Sequence, residues 1–149
     1  MNNNKMDVFK ILFEEHHRQL AAKRQKIHSM TEKTLAIFLI IAGWLIFTKE
    51  PMTPGMRWPI IIVALVLAVS ACSSIYTNNC SYYTIARVVR RLNEALGLYK
   101  VGTFIPGESI YPAEWKRFGE RGAFKGAFFH ILAVLAGAAL CVFAAFMRA

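Results

Sequence analysis

The chain has 149 residues, enough for one domain of ordinary size. It is 56 % hydrophobic and only 18 % charged, where soluble domains average about 45–50 % and about 25 %, yet its net charge is +9. This combination argues against a disordered tail, a disulfide-stapled secreted domain and a typical soluble enzyme, and it indicates a membrane protein whose basic residues lie outside its apolar stretches.

Residues 1–33 are predicted to form a cytoplasmic amphipathic helix. No Pro or Gly interrupts Asp7 to Lys33, and a mostly apolar heptad seam runs along it at alternating spacings of four and three. The seam consists of Phe9, Phe13, His16, Leu20, Lys23, Ile27, Met30 and Thr34. The stretch from Asp7 to Phe13 is more apolar than the rest, so it fits either this helix or the headgroup boundary.

Three uncharged runs predict three transmembrane helices, at 34–48, 58–77 and 126–147, because a spanning helix needs about 20 apolar residues. The first run is short, but Lys33 and Lys49 can extend their ammonium groups to the two interfaces. The alternative for this run is a buried helix of a soluble protein. A short external loop, 49–57, joins the first two spans, which must therefore be antiparallel.

The distribution of basic residues predicts the orientation in the membrane. Residues 1–33 and 78–125 hold fifteen of the eighteen Lys and Arg side chains. The positive-inside rule then places the N-terminus in the cytoplasm and the C-terminus outside. We expect an integral protein of a bacterial cytoplasmic membrane, with much of its positive charge beside anionic headgroups.

A second cytoplasmic helix is predicted over 78–99, where Ile85, Val89, Leu92, Leu96 and Tyr99 repeat the heptad spacing and Gly97 acts as a C-cap. Together with the N-terminal helix it would extend spans 1 and 2 as one helical hairpin into the cytoplasm. Both seams fit packing within one protomer, and they also fit pairing between protomers.

Residues 100–125 are predicted to form a loop and a short interfacial helix before span 3. Pro106-Gly107 indicates a turn, and Pro112 suits a first helical position. Aromatic and basic side chains would anchor this helix at the headgroups, as Trp44 and Trp58 would anchor the spans. The anchors before span 3 are Tyr111, Trp115, Phe118, Lys116 and Arg117. A partner-docking surface is the other interpretation of this long loop.

Small residues recur in two of the spans, where they allow helices to approach closely and predict helix packing or oligomerisation. They are Ala133, Gly137, Cys141 and Ala145 in span 3, and Ala64, Ala68 and Cys72 in span 2. The inner half of span 2 is also polar, with Ser70, Ser73, Ser74 and Thr77. These hydroxyls could bond helix backbones, or they could line a polar path in an oligomer.

The sequence gives little evidence of a catalytic, metal-binding or cofactor-binding site. It has no phosphate-binding glycine motif, no nucleophile elbow and no Cys or His spacing typical of zinc, so we expect no catalytic residue, no metal site and no cofactor. His130 is the one ionisable side chain within a span. It could bind haem, relay a proton or form a structural hydrogen bond, and its place near the interface favours the last.

These observations predict an all-α integral membrane protein without catalytic activity, in contact with the lipid bilayer. We expect it to oligomerise through its small-residue faces and to couple its cytoplasmic helices to a partner or signal, as a pore-forming or membrane-perturbing effector would. The order of helix, two spans and helix resembles small prokaryotic pore effectors in outline, although no residue motif carries that likeness. The alternative is an accessory or scaffold subunit of a larger membrane complex. A nucleic-acid partner is disfavoured, and the sequence leaves a small-molecule ligand unknown.

Overall fold

The computed structural model describes residues 3–48, 52–112, 114–115 and 123–147. Within these ranges the chain is all-helical, with α1 at Asn3–Phe47, α2 at Pro54–Ala95 and α3 at Ala123–Met147. A single β-bridge, between Ile105 and Glu108, is the only strand-like pairing in the described part. The all-α class is confirmed for the described residues. All three helices are long and apolar enough to cross a membrane, which is compatible with the three predicted spans.

The helices are longer than the individual predicted segments. α1 has 45 residues and joins the predicted N-terminal helix to span 1 without a break. α2 has 42 residues and begins at Pro54, four residues before the predicted span at 58. Thr53 precedes this first turn, and its carbonyl accepts hydrogen bonds from the backbone N–H groups of Met56 and Arg57 at 3.0 and 3.1 Å. Pro54 fits there because the first helical position needs no N–H donor.

The end of α2 is fixed by Gly97, as predicted. Gly97 has a φ of +73°. Its N–H donates to the Glu94 carbonyl at 3.0 Å, and the N–H of Leu98 donates to the Asn93 carbonyl at 3.1 Å. These two bonds are those of a Schellman motif. The helix therefore ends at Ala95, and Tyr99, placed within the helix by the sequence, lies in the turn that follows.

The chain divides into two compact units. The charged unit comprises Met1–Gln25 and Asn79–Gly126, and the apolar unit comprises Lys26–Asn78 and Ala127–Ala149. In the charged unit, Leu20 of α1 forms a small buried cluster with Ala86 and Val89 of α2. Leu20 and Val89 belong to the two predicted heptad seams, so the seams bring α1 and α2 together here within one chain.

The apolar unit contains the larger core. Its largest fully buried side chains come from all three helices: Phe38, Leu45, Ile75, Val134 and Cys141. Its outer surface is apolar too, since Ile40 is 71 % exposed, Val69 70 % and Phe129 76 %. A soluble protein seldom exposes so many large apolar side chains, whereas hydrocarbon is a favourable environment for them.

Candidate functional site

The charged unit contains a cavity of about 500 Å³. Its walls come from α1, from the second half of α2 and from the loop that follows α2. The described residues that line it are His17, Leu20, Ala21, Arg24, Tyr82, Val89, Asn93, Tyr99, Tyr111 and Trp115. The volume lies within the range of about 300–1,000 Å³ that is usual for small-molecule sites, and apolar and aromatic walls with a few polar groups are typical of them.

Three aromatic side chains form a continuous row along the loop side of the cavity. The ring centroids of Tyr99 and Tyr111 are 5.9 Å apart, and those of Tyr111 and Trp115 are 5.3 Å apart. Both distances are in the range of favourable aromatic pairs. Tyr111 and Trp115 were predicted to share a face as membrane anchors, and the structure places them beside each other at the cavity. Trp115 is 55 % exposed, which leaves part of its ring accessible.

The short turn carrying Trp115 is only partly described. The N–H of Trp115 donates to the Pro112 carbonyl at 3.0 Å, and residues 114–115 form a single 3₁₀ turn. The predicted anchors Lys116, Arg117 and Phe118 lie outside the described residues. The interfacial helix therefore remains a prediction.

Asn93 provides a buried polar group at the cavity wall, and sequence reasoning missed it. Its side chain is only 7 % exposed. The amide Nδ2 donates a long hydrogen bond of 3.4 Å to the Tyr99 hydroxyl. The Oδ1 atom is buried and accepts no hydrogen bond from the described part of the chain. A buried acceptor without a partner is costly, and such groups are rare in folded proteins. No sequence signal singled out this residue, which stands between two seam positions.

The charge around the cavity is positive. Arg24 lines it from α1, on the same helical face as His17 and about two turns further along, and none of the described lining residues is acidic. Burial raises the pKa of Tyr82, and the nearby positive charge of Arg24 opposes that shift. Tyr82 is therefore a neutral phenol at pH 7, and the fixed charge at this wall is that of Arg24. Such a site favours anions over cations.

His130 of α3 has a hydrogen-bond partner on α1 within the apolar unit. Its Nδ1 lies 2.9 Å from the hydroxyl oxygen of Thr31, and that hydroxyl donates to the Ile27 carbonyl at 2.9 Å. With the hydroxyl proton directed to the Ile27 carbonyl, the Nδ1–H tautomer of His130 is the one that donates to the Thr31 oxygen. The arrangement is that of a structural hydrogen bond, one of the three roles that the sequence left open.

The surroundings of His130 contain two further titratable groups. The rings of His28 and His130 meet edge to face, with centroids 6.2 Å apart. Nε2 of His28 lies 3.1 Å from a carboxylate oxygen of Glu32, with both side chains largely exposed. Across the described residues, no group of three potential metal ligands comes together.

The small residues of span 3 contact α1 of the same chain. The thiol of Cys141 donates to the Phe38 carbonyl at 3.1 Å. A Cβ placed on Gly137 would stand 2.8 Å from the Phe38 ring and 3.1 Å from Leu35. Ala145 is fully buried and Ala133 is half-buried. This stripe therefore contributes to packing within the apolar unit.

The small residues of span 2 are also turned inward. Ala64 and Ala68 belong to the buried core, and Cys72 is half-buried against it. The contacts of both stripes in the structure are therefore those of a single chain. Their predicted role between protomers stays a prediction.

The hydroxyls of span 2 lie mostly on the opposite face of α2. Ser70, Ser73 and Thr77 are exposed, and their spacing of three and four puts them on one side of the helix. Ser74 is half-buried. The Thr77 hydroxyl donates to the Ser73 carbonyl at 2.9 Å, so this hydroxyl is hydrogen-bonded within its own helix. We call Ser70, Ser73 and Thr77 the hydroxyl face.

The tryptophans predicted as anchors of the spans are exposed. Trp44 stands near the end of α1 and Trp58 near the start of α2, on either side of the connection between the two helices. Such positions suit amphipathic rings at a membrane interface. The interface itself remains a prediction for both residues.

Comparisons of the chain with protein-family models, with curated proteins and with solved structures found no match. The cavity of the charged unit and the hydroxyl face of α2 are the two features of the molecule that bear on its function.

Proposed function

We propose that the chain is a non-catalytic multi-pass membrane protein that oligomerises and couples a cytoplasmic signal to its spans, as a pore-forming or membrane-perturbing effector would. In this proposal α1 and α2 form a helical hairpin, and the charged unit is cytoplasmic. The N-terminus would be inside and the C-terminus outside, in a bacterial cytoplasmic membrane.

The observation that carries the proposal is the exposed hydroxyl face of α2. Ser70, Ser73 and Thr77 lie in a helix that is apolar enough to span a membrane, yet they point away from the core of their own chain. The Thr77 hydroxyl already has a partner in the Ser73 carbonyl. For any hydroxyl that lacks one, the cost in an apolar environment is about 2–7 kcal/mol, depending on the reference state. Bonds to the same helix reduce this cost, and a second copy or a water-filled path would remove more of it.

The small-residue stripes support the proposal less directly. Since Gly137 and Cys141 hold α3 against α1, they give each protomer a defined shape. The oligomer would then form through surfaces that this packing leaves exposed. The hydroxyl face is the polar surface among them. A signal would reach that face along α2, because this helix carries both Asn93 of the cavity and Ser73 of the hydroxyl face.

Mass measurement of the full chain in lipid nanodiscs tests oligomerisation, and dye release from liposomes tests membrane perturbation. The double variant Ser70→Ala and Ser73→Ala should weaken association. At about 0.6 kcal/mol for each interhelical hydrogen bond, two lost bonds correspond to roughly a seven-fold change. The matched control is Thr34→Ala, because the Thr34 hydroxyl donates to the Met30 carbonyl of its own helix at 2.8 Å.

A strict monomer that leaves liposome permeability unchanged would contradict the proposal. Recovery of stoichiometric larger subunits from native membranes would instead favour the alternative, an accessory or scaffold subunit of a membrane complex. Equal association of the double variant and the Thr34→Ala control would show that the hydroxyl face does not contribute to oligomerisation.

A further inference from the structure

We propose that a groove on the surface of the apolar unit binds one anionic phospholipid, with an acyl chain between α2 and α3 and the phosphate at Arg57. The inference rests on one part of the proposed function, that α2 and α3 span a membrane, and it needs neither the oligomer nor the signal. The site follows from the shape of the groove, from its apolar lining and from the arginine at its end.

The groove lies between α2 and α3 and has a volume of about 510 Å³. Every described residue that lines it is Ala, Val, Leu or Phe. Ala68 and Ala138 are buried and form its floor, whereas Leu65, Leu135 and Phe143 are exposed and form its rims. In a membrane such a groove holds hydrocarbon, because its walls offer water no hydrogen bonds.

The length of the groove matches one acyl chain. Its α3 wall extends from Leu135 to Phe146, which is about 17 Å at about 1.5 Å per residue. This is roughly half of the hydrocarbon thickness of about 30 Å, and therefore the depth of a single leaflet. A helix about 10 Å across would occupy more than about 1,300 Å³ over the same length, so it could lie across the rims but could not enter the groove.

Arg57 marks the headgroup end of the groove. Its guanidinium carbon lies 5.7 Å from the centre of the Phe146 ring, within the distance of a cation–π contact, and Phe146 lines the groove. No ion pair joins Arg57 to a carboxylate in the described part of the chain. Its Nε is buried, which leaves the two terminal nitrogens as the donors that a headgroup can reach. Paired N–H donors of this kind bind a phosphate well.

Charge complementarity favours a lipid over a second copy of the chain as the occupant. Glu32 is the only acid among the described residues of the apolar unit, and its carboxylate contacts His28. A second copy that laid its spans on the groove would therefore bring no described carboxylate to Arg57. An anionic phospholipid brings both the chain and the charge. Since bulk lipid is as apolar as the groove, the acyl chain gains little by entering it, and the headgroup decides the preference between lipids.

The test uses the full chain in a nonionic detergent with equal amounts of dioleoyl phosphatidylglycerol and dioleoyl phosphatidylcholine, which carry the same acyl chains. Native mass spectrometry then identifies the lipid that stays bound. Phosphatidylglycerol should be retained about five-fold more often, the preference that one arginine gives near an anionic headgroup. Glycerol 3-phosphate carries the charge without the chains, and at equal concentration it should not displace the lipid.

Two pairs of variants separate the charge from the groove. Arg57→Gln should reduce the preference to about one, whereas the control Arg87→Gln changes an exposed arginine of the charged unit and should leave it unchanged. Ala139→Leu fills part of the groove and should lower retention of both lipids roughly two- to four-fold through lost carbon contacts. Ala136→Leu is its matched control, since Ala136 is also exposed on α3 but does not line the groove.

Four results would overturn the proposal: equal retention of the two lipids, displacement by glycerol 3-phosphate, equal effects of Arg57→Gln and Arg87→Gln, or equal effects of Ala139→Leu and Ala136→Leu. A changed oligomer mass in Ala139→Leu without loss of lipid would also overturn it, and would assign the groove to a second copy. The proposed function fails separately. A strict monomer that leaves liposomes intact can still select the anionic lipid, and an oligomer that releases dye can retain both lipids equally.

Discussion

Gly137 provides a sharp test of the helix packing in the apolar unit, because the chain contains a matched glycine without neighbours. A Cβ on Gly137 would stand 2.8 Å from the Phe38 ring and 3.1 Å from Leu35, and Phe38 is fully buried. Carbon atoms pack best at about 3.5–4.0 Å, so either the ring or the whole helix α3 must move by roughly 1 Å. Gly43 also lies within a spanning helix, and its added Cβ would meet nothing within 4 Å.

The expected energies follow from two terms. Replacement of a helical glycine by alanine favours the helix by about 1 kcal/mol at both positions. Overpacking of a filled site costs about 1–3 kcal/mol, and only Gly137→Ala incurs it. The free energy of unfolding of Gly137→Ala should therefore be about 1–3 kcal/mol lower than that of Gly43→Ala, while Gly43→Ala should equal or exceed the parent chain.

Cys141 is a natural probe for this measurement, since it is buried beside the same helix contact. Replacement of Cys72 and Cys80 by alanine leaves it as the only thiol. Labelling by a fluorogenic maleimide during heating in detergent then reports the opening of the contact between α3 and α1. Equal melting profiles for Gly137→Ala and Gly43→Ala would refute the packing that we describe.

Three further predictions concern other parts of the molecule. Thr31→Val should destabilise the chain by about 1–3 kcal/mol in the same thiol assay, because the Nδ1 donor of His130 loses its acceptor, and Thr31→Ser should restore most of that stability. Gly97→Ala should cost about 1–2 kcal/mol, because its φ of +73° is unfavourable for a residue with a Cβ, and hydrogen exchange should then be faster in the last turn of α2. In a cysteine-free background, Thr53→Cys should react with an impermeant maleimide on spheroplasts and Ser109→Cys only after permeabilisation. The reverse labelling pattern would contradict the proposed orientation.

Much of the fold could be predicted because it depends on local patterns. Uncharged runs identified the three helices that are long and apolar enough to span a membrane, and the heptad spacing of Leu20 and Val89 identified the faces by which α1 and α2 meet. The left-handed Gly97 was predicted because few other residues adopt that conformation without strain. The exact starts of the helices were harder to predict. Pro54 is typical of a first helical position, but it lies four residues before the uncharged run from which the start of span 2 was predicted.

The candidate site could not be predicted in the same way. Its residues come from α1, α2 and the following loop, so their proximity depends on tertiary packing that no spacing encodes. The pattern of Tyr111 and Trp115 was recognised, but a shared aromatic face is compatible with a lipid interface as well as with a cavity wall. No spacing or motif in the sequence singled out Asn93. Its importance comes from its burial and from the missing partner of Oδ1, and neither property is visible in sequence.

The lengths of the helices explain why a separate binding unit is physically reasonable. At 1.5 Å per residue, the 42 residues of α2 extend about 63 Å, roughly twice the thickness of the hydrocarbon core. In the proposed membrane arrangement about half of the helix lies outside hydrocarbon, where its own packing has to hold it. Among its described residues, the charged unit has a small buried cluster around Leu20, Ala86 and Val89 for this purpose. A ligand that fills the adjacent cavity would stabilise this unit in proportion to the logarithm of its concentration above Kd, so in the proposed function the order of the unit would follow the amount of ligand.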